Sequence, residues 1–221
     1  MHRVLLITIL LIIHFCTNAQ DSLDTSAKKG PSKFSLGFGL SYSIMGFETR
    51  PYFIDSSGKA GKSEIKNVVG VSASAGYMFQ VSPRLMIRPS VEAHMMPAKI
   101  SYDTEIDHKT ISEVYPISVE IPIAAIYNLS SKPNSPTAQL AFRPVYAPET
   151  FSDPRPEINP FNLNLDIGVG MPFQIKKALV RMELYYSHGF LELIGENPDD
   201  YKTRSVKHLT RSFAGIRFYL N

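Results

Sequence analysis

The sequence has no tryptophan and one cysteine, Cys16. A single thiol forms no internal disulfide, and thiolate ligation of a metal needs companions that are missing. Histidines are few, and His94, His108, His188 and His208 stand apart with no His-x-x-x-His spacing, so no zinc site and no other metal or cofactor is expected. No stretch reaches 18 consecutive apolar residues, which excludes a membrane-spanning helix. Charged residues make up only 19% of the chain, and the net charge is +3. Its lysines and arginines are scattered rather than clustered, so nucleic acid is not an expected partner. Gly37-Phe38-Gly39 and Gly168-Val169-Gly170 lie inside alternating segments with no helix to follow, so neither is a phosphate loop.

What is present begins with an export pattern. Arg3 precedes the apolar run Val4–Phe15, too short to span a bilayer, and Thr17-Asn18-Ala19 resembles a small-residue cleavage site. A cut after Ala19 is expected. A lipoprotein signal using Cys16 fits less well, because bulky His14 and Phe15 precede it. Residues 1–19 are therefore expected to leave as a signal peptide, taking the only cysteine with them. Residues 20–33, QDSLDTSAKKGPSK, are polar and aperiodic and read as a flexible periplasmic leader.

From residue 34 onward the chain alternates. The clearest stretch is Tyr115–Pro148, two strands around the polar turn Ser130–Pro136. Its uncharged set is Ile117, Val119, Ile121, Ile123, Ala125, Tyr127 and Leu129, then Ala138, Leu140, Phe142, Pro144 and Tyr146. The opposite set holds Ser118, Glu120, Asn128, Gln139 and Arg143. Similar alternation predicts strands at Phe34–Gly46, Asn67–Val81, Leu85–Met95, Phe161–Pro172, Ala178–Ser187 and Lys207–Leu220. Four long polar links, Phe47–Lys66, Met96–Val114, Glu149–Pro160 and His188–Val206, alternate with three short turns. The fold expected for residues 34–221 is an all-β, eight-stranded antiparallel up-and-down transmembrane β-barrel, with short turns periplasmic and long loops external.

Alternation alone does not say which face is inside, because a soluble lipocalin-like barrel alternates too. Three features favour lipid outside. The non-apolar faces of the first two strands are nearly all Ser and Gly, which suits a narrow lumen. No Asp, Glu, Lys or Arg falls in the apolar set of any strand. An export signal precedes a chain with no further cysteine. Energy sharpens the choice. Arg88, Arg143, Arg181, Arg211 and Arg217 share the polar face. A cation at mid-bilayer on the lipid side costs roughly 2–4 kcal/mol, so five would approach ~10–20 kcal/mol, as much as a whole domain's stability. They are expected in the lumen beside Glu92, Glu120, Asp166 and Glu183, where the charges can pair. Tyr77, Phe79 and Tyr127 fall near the short-turn rim, and Tyr42, Tyr146 and Tyr186 near the long-loop rim. Ordinary strand preference explains their number. Two interfacial girdles explain their position at strand ends. Pro89, Pro122 and Pro144 sit mid-strand, where each deletes a ladder donor, and local bulges are expected there.

Arg88-Pro89, Glu120-Ile121-Pro122 with the apolar run to Tyr127, Arg143-Pro144 and Asp166-Ile167-Gly168-Val169-Gly170 resemble strand motifs of the PorT-like family of bacterial outer-membrane barrels. The likeness runs from about residue 34 onward, and Leu209–Tyr219 resembles that family's last strand. Val145-Tyr146-Ala147-Pro148 stands where the family has a Gly pair, and the final Leu220-Asn221 also departs from its pattern. The resemblance implies an eight-stranded barrel in the outer membrane of a Gram-negative bacterium, with a role in protein secretion of the type IX kind. Outer-membrane lipid and proteins of the secretion apparatus are the partners it implies.

Enzymatic chemistry is not expected. Some eight-stranded outer-membrane barrels are lipid-modifying enzymes with a Ser/His/acid group at the outer rim. Ser187, His188 and Glu192 lie near that rim, as do Asp107 and His108, but neighbours in a strand point to opposite faces, so Ser187 and His188 cannot form a dyad. Nor is an open pore expected, because eight strands leave a lumen that long Arg and Glu side chains fill. A lipid-modifying enzyme and a soluble periplasmic ligand-binding barrel are the alternatives.

Overall fold

A computed structural model describes residues 33–49, 53–54, 60–96, 98–103, 108–114, 117–130, 135–148, 158–175, 178–193 and 206–220. The expected signal peptide, its cut, nearly all of the leader and the tip of the turn after Leu129 lie outside the described residues. Thirteen strands are described. They are β1 (Lys33–Thr49), β2 (Phe53–Ile54), β3 (Ala60–Lys66), β4 (Val69–Gln80), β5 (Leu85–Met95), β6 (Ala98–Asp103) and β7 (His108–Val114). They continue as β8 (Ile117–Glu120), β9 (Ile123–Asn128), β10 (Thr137–Tyr146), β11 (Phe161–Ile175), β12 (Ala178–Gly189) and β13 (Val206–Leu220).

Nine of these close into eight staves. Neighbours run β1, β4, β5, then β8 and β9 together, then β10, β11, β12 and β13, which pairs back onto β1. Every pairing is antiparallel. This is a closed eight-stranded antiparallel barrel, and closure leaves no edge along its wall. The ladder is staggered. A row that starts at Arg181 on β12 passes Tyr219, Gly37, Ser74, Glu92, Glu120, Val145 and Asn162. It returns to β12 beyond Gly189, the partner of Asn164. Such a shear accompanies tilted staves in any closed barrel. It also brings residues far apart in sequence to one level.

The faces divide by chemistry. Phe34, Leu36, Phe38, Leu40, Tyr42 and Ile44 on β1 are exposed, while Ser35, Ser41 and Ser43 between them are buried. The same holds around the barrel, with Val71, Val91, Val119, Leu140, Phe142, Ile167, Val169, Leu184 and Ile216 on the exposed outer face. Arg88, Arg143, Arg211, Glu92, Glu120, Asp166 and Glu183 are all at most 2% exposed. That is a water-soluble protein turned inside out. An apolar exterior this continuous far exceeds the patches a soluble monomer shows.

Two expectations are corrected. The links Phe47–Lys66 and Met96–Val114, read as loops, carry β2, β3, β6 and β7. These form a second antiparallel sheet in the order β2-β3-β6-β7 at the long-loop end. Polar content hid them, since Lys62, Glu64, Lys99 and Glu113 replace the apolar alternation that marks a membrane-facing stave.

The prolines also differ from expectation. No register shift occurs at Pro89, Pro122 or Pro144. Glu92 opposite Glu120 and Pro89 opposite Ile123 keep one offset across the break between β8 and β9, and β10 keeps one offset from Thr137 to Tyr146. A proline removes its own N–H but retains its carbonyl. Ser90 N donates to Pro122 O at 3.0 Å, and Ile121 N donates to Pro144 O at 3.0 Å. Each proline therefore costs one donor without requiring an extra residue. The described shifts lie near the long-loop end, at Glu48/Thr49 and Tyr102/Asp103.

Candidate functional site: a charge network across the lumen

The inward positions of β5, β8, β10, β11, β12 and β13 carry the charged residues, and the closed ladder aims them at one another. Arg143 is the hub. Its Nε donates to both oxygens of Asp166 at 3.1 and 2.9 Å. Its Nη1 donates to Glu92 Oε2 at 3.0 Å and to Glu120 Oε2 at 2.5 Å. Glu92 and Glu120 face each other directly on β5 and β8. Like charges so placed repel; the guanidinium between them turns the repulsion into a bridge.

Other pairs cross the whole lumen. Arg88 on β5 donates from Nη1 and Nη2 to the two oxygens of Glu183 on β12, each at 2.8 Å. These staves are four apart in either direction around the barrel. Arg211 on β13 reaches Glu120 on β8 at 3.0 Å, again four staves away. Arg217 lies 3.4 Å from Glu92 and 3.5 Å from Asp166. Inward aromatics carry the guanidinium planes: Arg88 sits 3.6 Å over the Tyr219 ring and Arg217 3.5 Å over Tyr185. A buried cation over a ring gains ~2 kcal/mol. Glycine makes room for this stacking. A Cβ on Gly39 would stand 2.8 Å from Ser72 Oγ and 3.0 Å from Arg217 Cγ.

Apolar layers flank the charges. Ala124, Ile126 and Ala141 pack inward with Met86. Met96, Tyr185 and Phe213 form a second cluster toward the long loops. Leu193 and Leu209 are fully buried there, joined by Leu193 N donating to Leu209 O at 2.9 Å. Glu192 holds this cap from outside, accepting from Leu209 N at 2.6 Å and lying 2.9 Å from His208.

Sequence reasoning missed His94, which is not isolated. Its Nε2 is 2.7 Å from Ser41 Oγ, and its Nδ1 is 3.2 Å from Glu120 Oε1. His94 lies opposite Ser118 and diagonal to Glu120 across the β5–β8 ladder, contact that a register supplies and a spacing in sequence does not. Ser41–His94–Glu120 has the connectivity of a nucleophile, base and acid. Its surroundings do not suit that use. Arg211 Nη2 lies 3.2 Å from the same Nδ1, Ser41 Oγ donates to Met96 Sδ at 3.7 Å, and all three residues are at most 4% exposed. Glu92, His94 and Glu120 also offer donor atoms within 4.8 Å of one another. Arg143, Arg211 and Arg217 already surround those carboxylates. At the rim, Ser187 is buried while His188 faces outward, 3.1 Å from Ser212 Oγ.

The six aromatics named for the rims all point outward. Tyr77 packs against Phe79 with centroids 4.9 Å apart, and Tyr146 against Phe161 at 5.0 Å. Leu85 brings Tyr127 to the short-turn end, and Ala214 sets Tyr42 and Tyr186 on one row. Arg181 lies inward near the short turns, opposite Pro172 and Tyr219.

No family model and no curated protein matches the chain. Among solved structures it is similar to the outer membrane protein OprG from Pseudomonas aeruginosa, with 10% identity and a TM-score of 0.49 over 87% of this chain and 96% of that one. It is also similar to Neisserial surface protein A, with 11% identity and a TM-score of 0.43 over 86% and 99%. The translocator domain of the autotransporter NalP from Neisseria meningitidis shows 9% identity and a TM-score of 0.35 over 97% and 96%. The barrel assignment rests on the ladder registers, not on these likenesses.

Proposed function

We propose that the chain is a non-enzymatic β-barrel of the bacterial outer membrane, acting as an accessory or assembly component of protein secretion through its long-loop end. One observation carries the membrane part of this reading: between the rims the outer wall is an apolar face while five arginines and four carboxylates are buried within. Water outside and charge inside would be the most costly arrangement of this sequence; lipid outside makes it the favourable one. A soluble ligand-binding barrel would have these faces exchanged. The lumen-crossing pairs Arg88–Glu183 and Arg211–Glu120 argue against free diffusion through the barrel.

Among the described residues no open pore and no accessible reactive group is seen, and the elaborated end is left as the working surface. The sheet of β2, β3, β6 and β7 gives it a built form, and the strand motifs around Arg88-Pro89 and Glu120-Ile121-Pro122 suggest secretion as the context. Carbonate washing of cell envelopes tests location: the chain should stay with the membrane pellet, and release into the soluble fraction would end the membrane reading. A deletion strain tests the role. Loss of secreted proteins from the medium is expected, and an unchanged set of secreted proteins would remove the secretion role.

A further inference from the structure

The lumen charges do not balance, and the imbalance has an address. Five guanidinium groups are buried with four carboxylates. Arg88, Arg143, Arg211 and Arg217 each lie within 3.5 Å of a carboxylate oxygen. Arg181 is the exception. It is 5% exposed, and its Nε and Nη1 are sealed from solvent with no hydrogen-bond acceptor. Among the described residues no carboxylate lies within ion-pair distance of it. Glu183, two residues on and on the same inward face, is engaged at both oxygens by Arg88. A buried, unpaired cation is among the costlier features a barrel can retain.

Its position adds a second, independent observation. Arg181 is four residues into β12 from the short turn, opposite Pro172 and Tyr219, hence just inside the short-turn mouth. The described residues that join staves at that end, 81–84, 129–130 and 135–136, contain Arg84 and no Asp or Glu. Lys33 at the start of β1 belongs to the same end. Two cations at a low-dielectric opening focus potential into it and concentrate counter-ions there. At the foot of that field stands a guanidinium, whose planar fork matches an oxyanion. Ser35 Oγ, buried without a partner, opens inward on the same end of β1.

We propose that the short-turn mouth is an oxyanion-binding site centred on Arg181, taking a phosphate-class ligand. Inorganic phosphate and the phosphodiester of an anionic lipid headgroup share this chemistry. Binding would supply the missing negative charge and complete the inner network. The site is separate from the long-loop end and does not depend on a secretion role.

The test uses the full barrel folded in zwitterionic micelles, with thermal unfolding followed in a phosphate series against chloride at matched ionic strength. Phosphate should raise the midpoint saturably in the wild type. Arg181→Met should lose that shift and, in chloride alone, unfold no earlier than the wild type. Equal shifts in phosphate and chloride, or an undiminished shift in Arg181→Met, would overturn the proposal. Broadening of the phosphorus resonance of inorganic phosphate by the wild-type barrel gives a reading that needs no variant, and an unbroadened line would count against the site. Vesicles separate the two sources. If a headgroup is the ligand, phosphatidylglycerol but not phosphatidylcholine should abolish the response to added phosphate; if free phosphate is the ligand, both should preserve it.

Discussion

Glu120 concentrates the argument at the scale of single residues. It accepts from Arg143, Arg211 and Ser118 and lies beside His94, and none of these groups touches water. Removing it takes from Arg211 the carboxylate at 3.0 Å and from Arg143 one of its three carboxylate partners. Breaking a buried pair from one side costs about 3–5 kcal/mol, while replacing both partners by apolar groups of like volume is often neutral. Glu120→Ala should therefore destabilise the barrel by about that amount, seen as a lower temperature for loss of the compact band on unheated gels. An unchanged temperature would refute the role given to this residue. The pair Arg88–Glu183 offers the complementary comparison. Arg88→Met alone should cost several kcal/mol, and Arg88→Met with Glu183→Leu should recover much of it, because neither half of that pair then remains as a charge whose partner was removed. Gly39 is a steric case. Its Cβ would also meet the Ile216 carbonyl oxygen at 3.1 Å, so Gly39→Ala should cost about 1–3 kcal/mol by overpacking. Urea unfolding in detergent measures all four variants.

Elements divide into staves that the sequence announces and strands that it conceals. Leu85–Met95 was legible to the residue, because apolar and polar positions alternate from Ile87 to Met95 between a turn and a polar stretch. The limits of β11 and β12 lie beyond the expected Pro172 and Ser187, at Ile175 and Gly189. The strands β3, β6 and β7 were not legible, since a sheet outside the bilayer has no apolar face to display and its residues read as loop. The prolines misled in the other direction. A bulge is one answer to a missing donor, but a neighbour's N–H can still reach the proline carbonyl, as Ser90 and Ile121 do. The charged positions of the network could be read from alternation. Their partners could not, because Arg88 and Glu183 are 95 residues apart and meet only after the barrel closes. If the outer sheet is an addition to a self-sufficient barrel, replacing residues 99–113 by a short Gly-Ser turn should leave the compact band and its melting temperature nearly unchanged. Loss of folding would show that β6 and β7 help close the barrel.

At the scale of the whole molecule, one inversion organises everything else: apolar residues outside, a closed and charged interior within. The inversion gives the outer wall to lipid, fills the lumen and leaves the two ends free for recognition. Leu140 stands midway along β10, 51% exposed, between inward Gln139 and Ala141. Leu140→Arg should cost roughly 2–4 kcal/mol in a bilayer, the penalty of a cation at mid-depth on the lipid face. The central claim has a still more direct test at the same position. A nitroxide spin label on Leu140→Cys, in a Cys16→Ser background and reconstituted in phospholipid vesicles, reports its surroundings by collision with molecular oxygen or with a water-soluble nickel chelate. High oxygen accessibility with almost none to nickel is the predicted result, and strong collision with the nickel chelate would contradict the assignment of this wall to lipid.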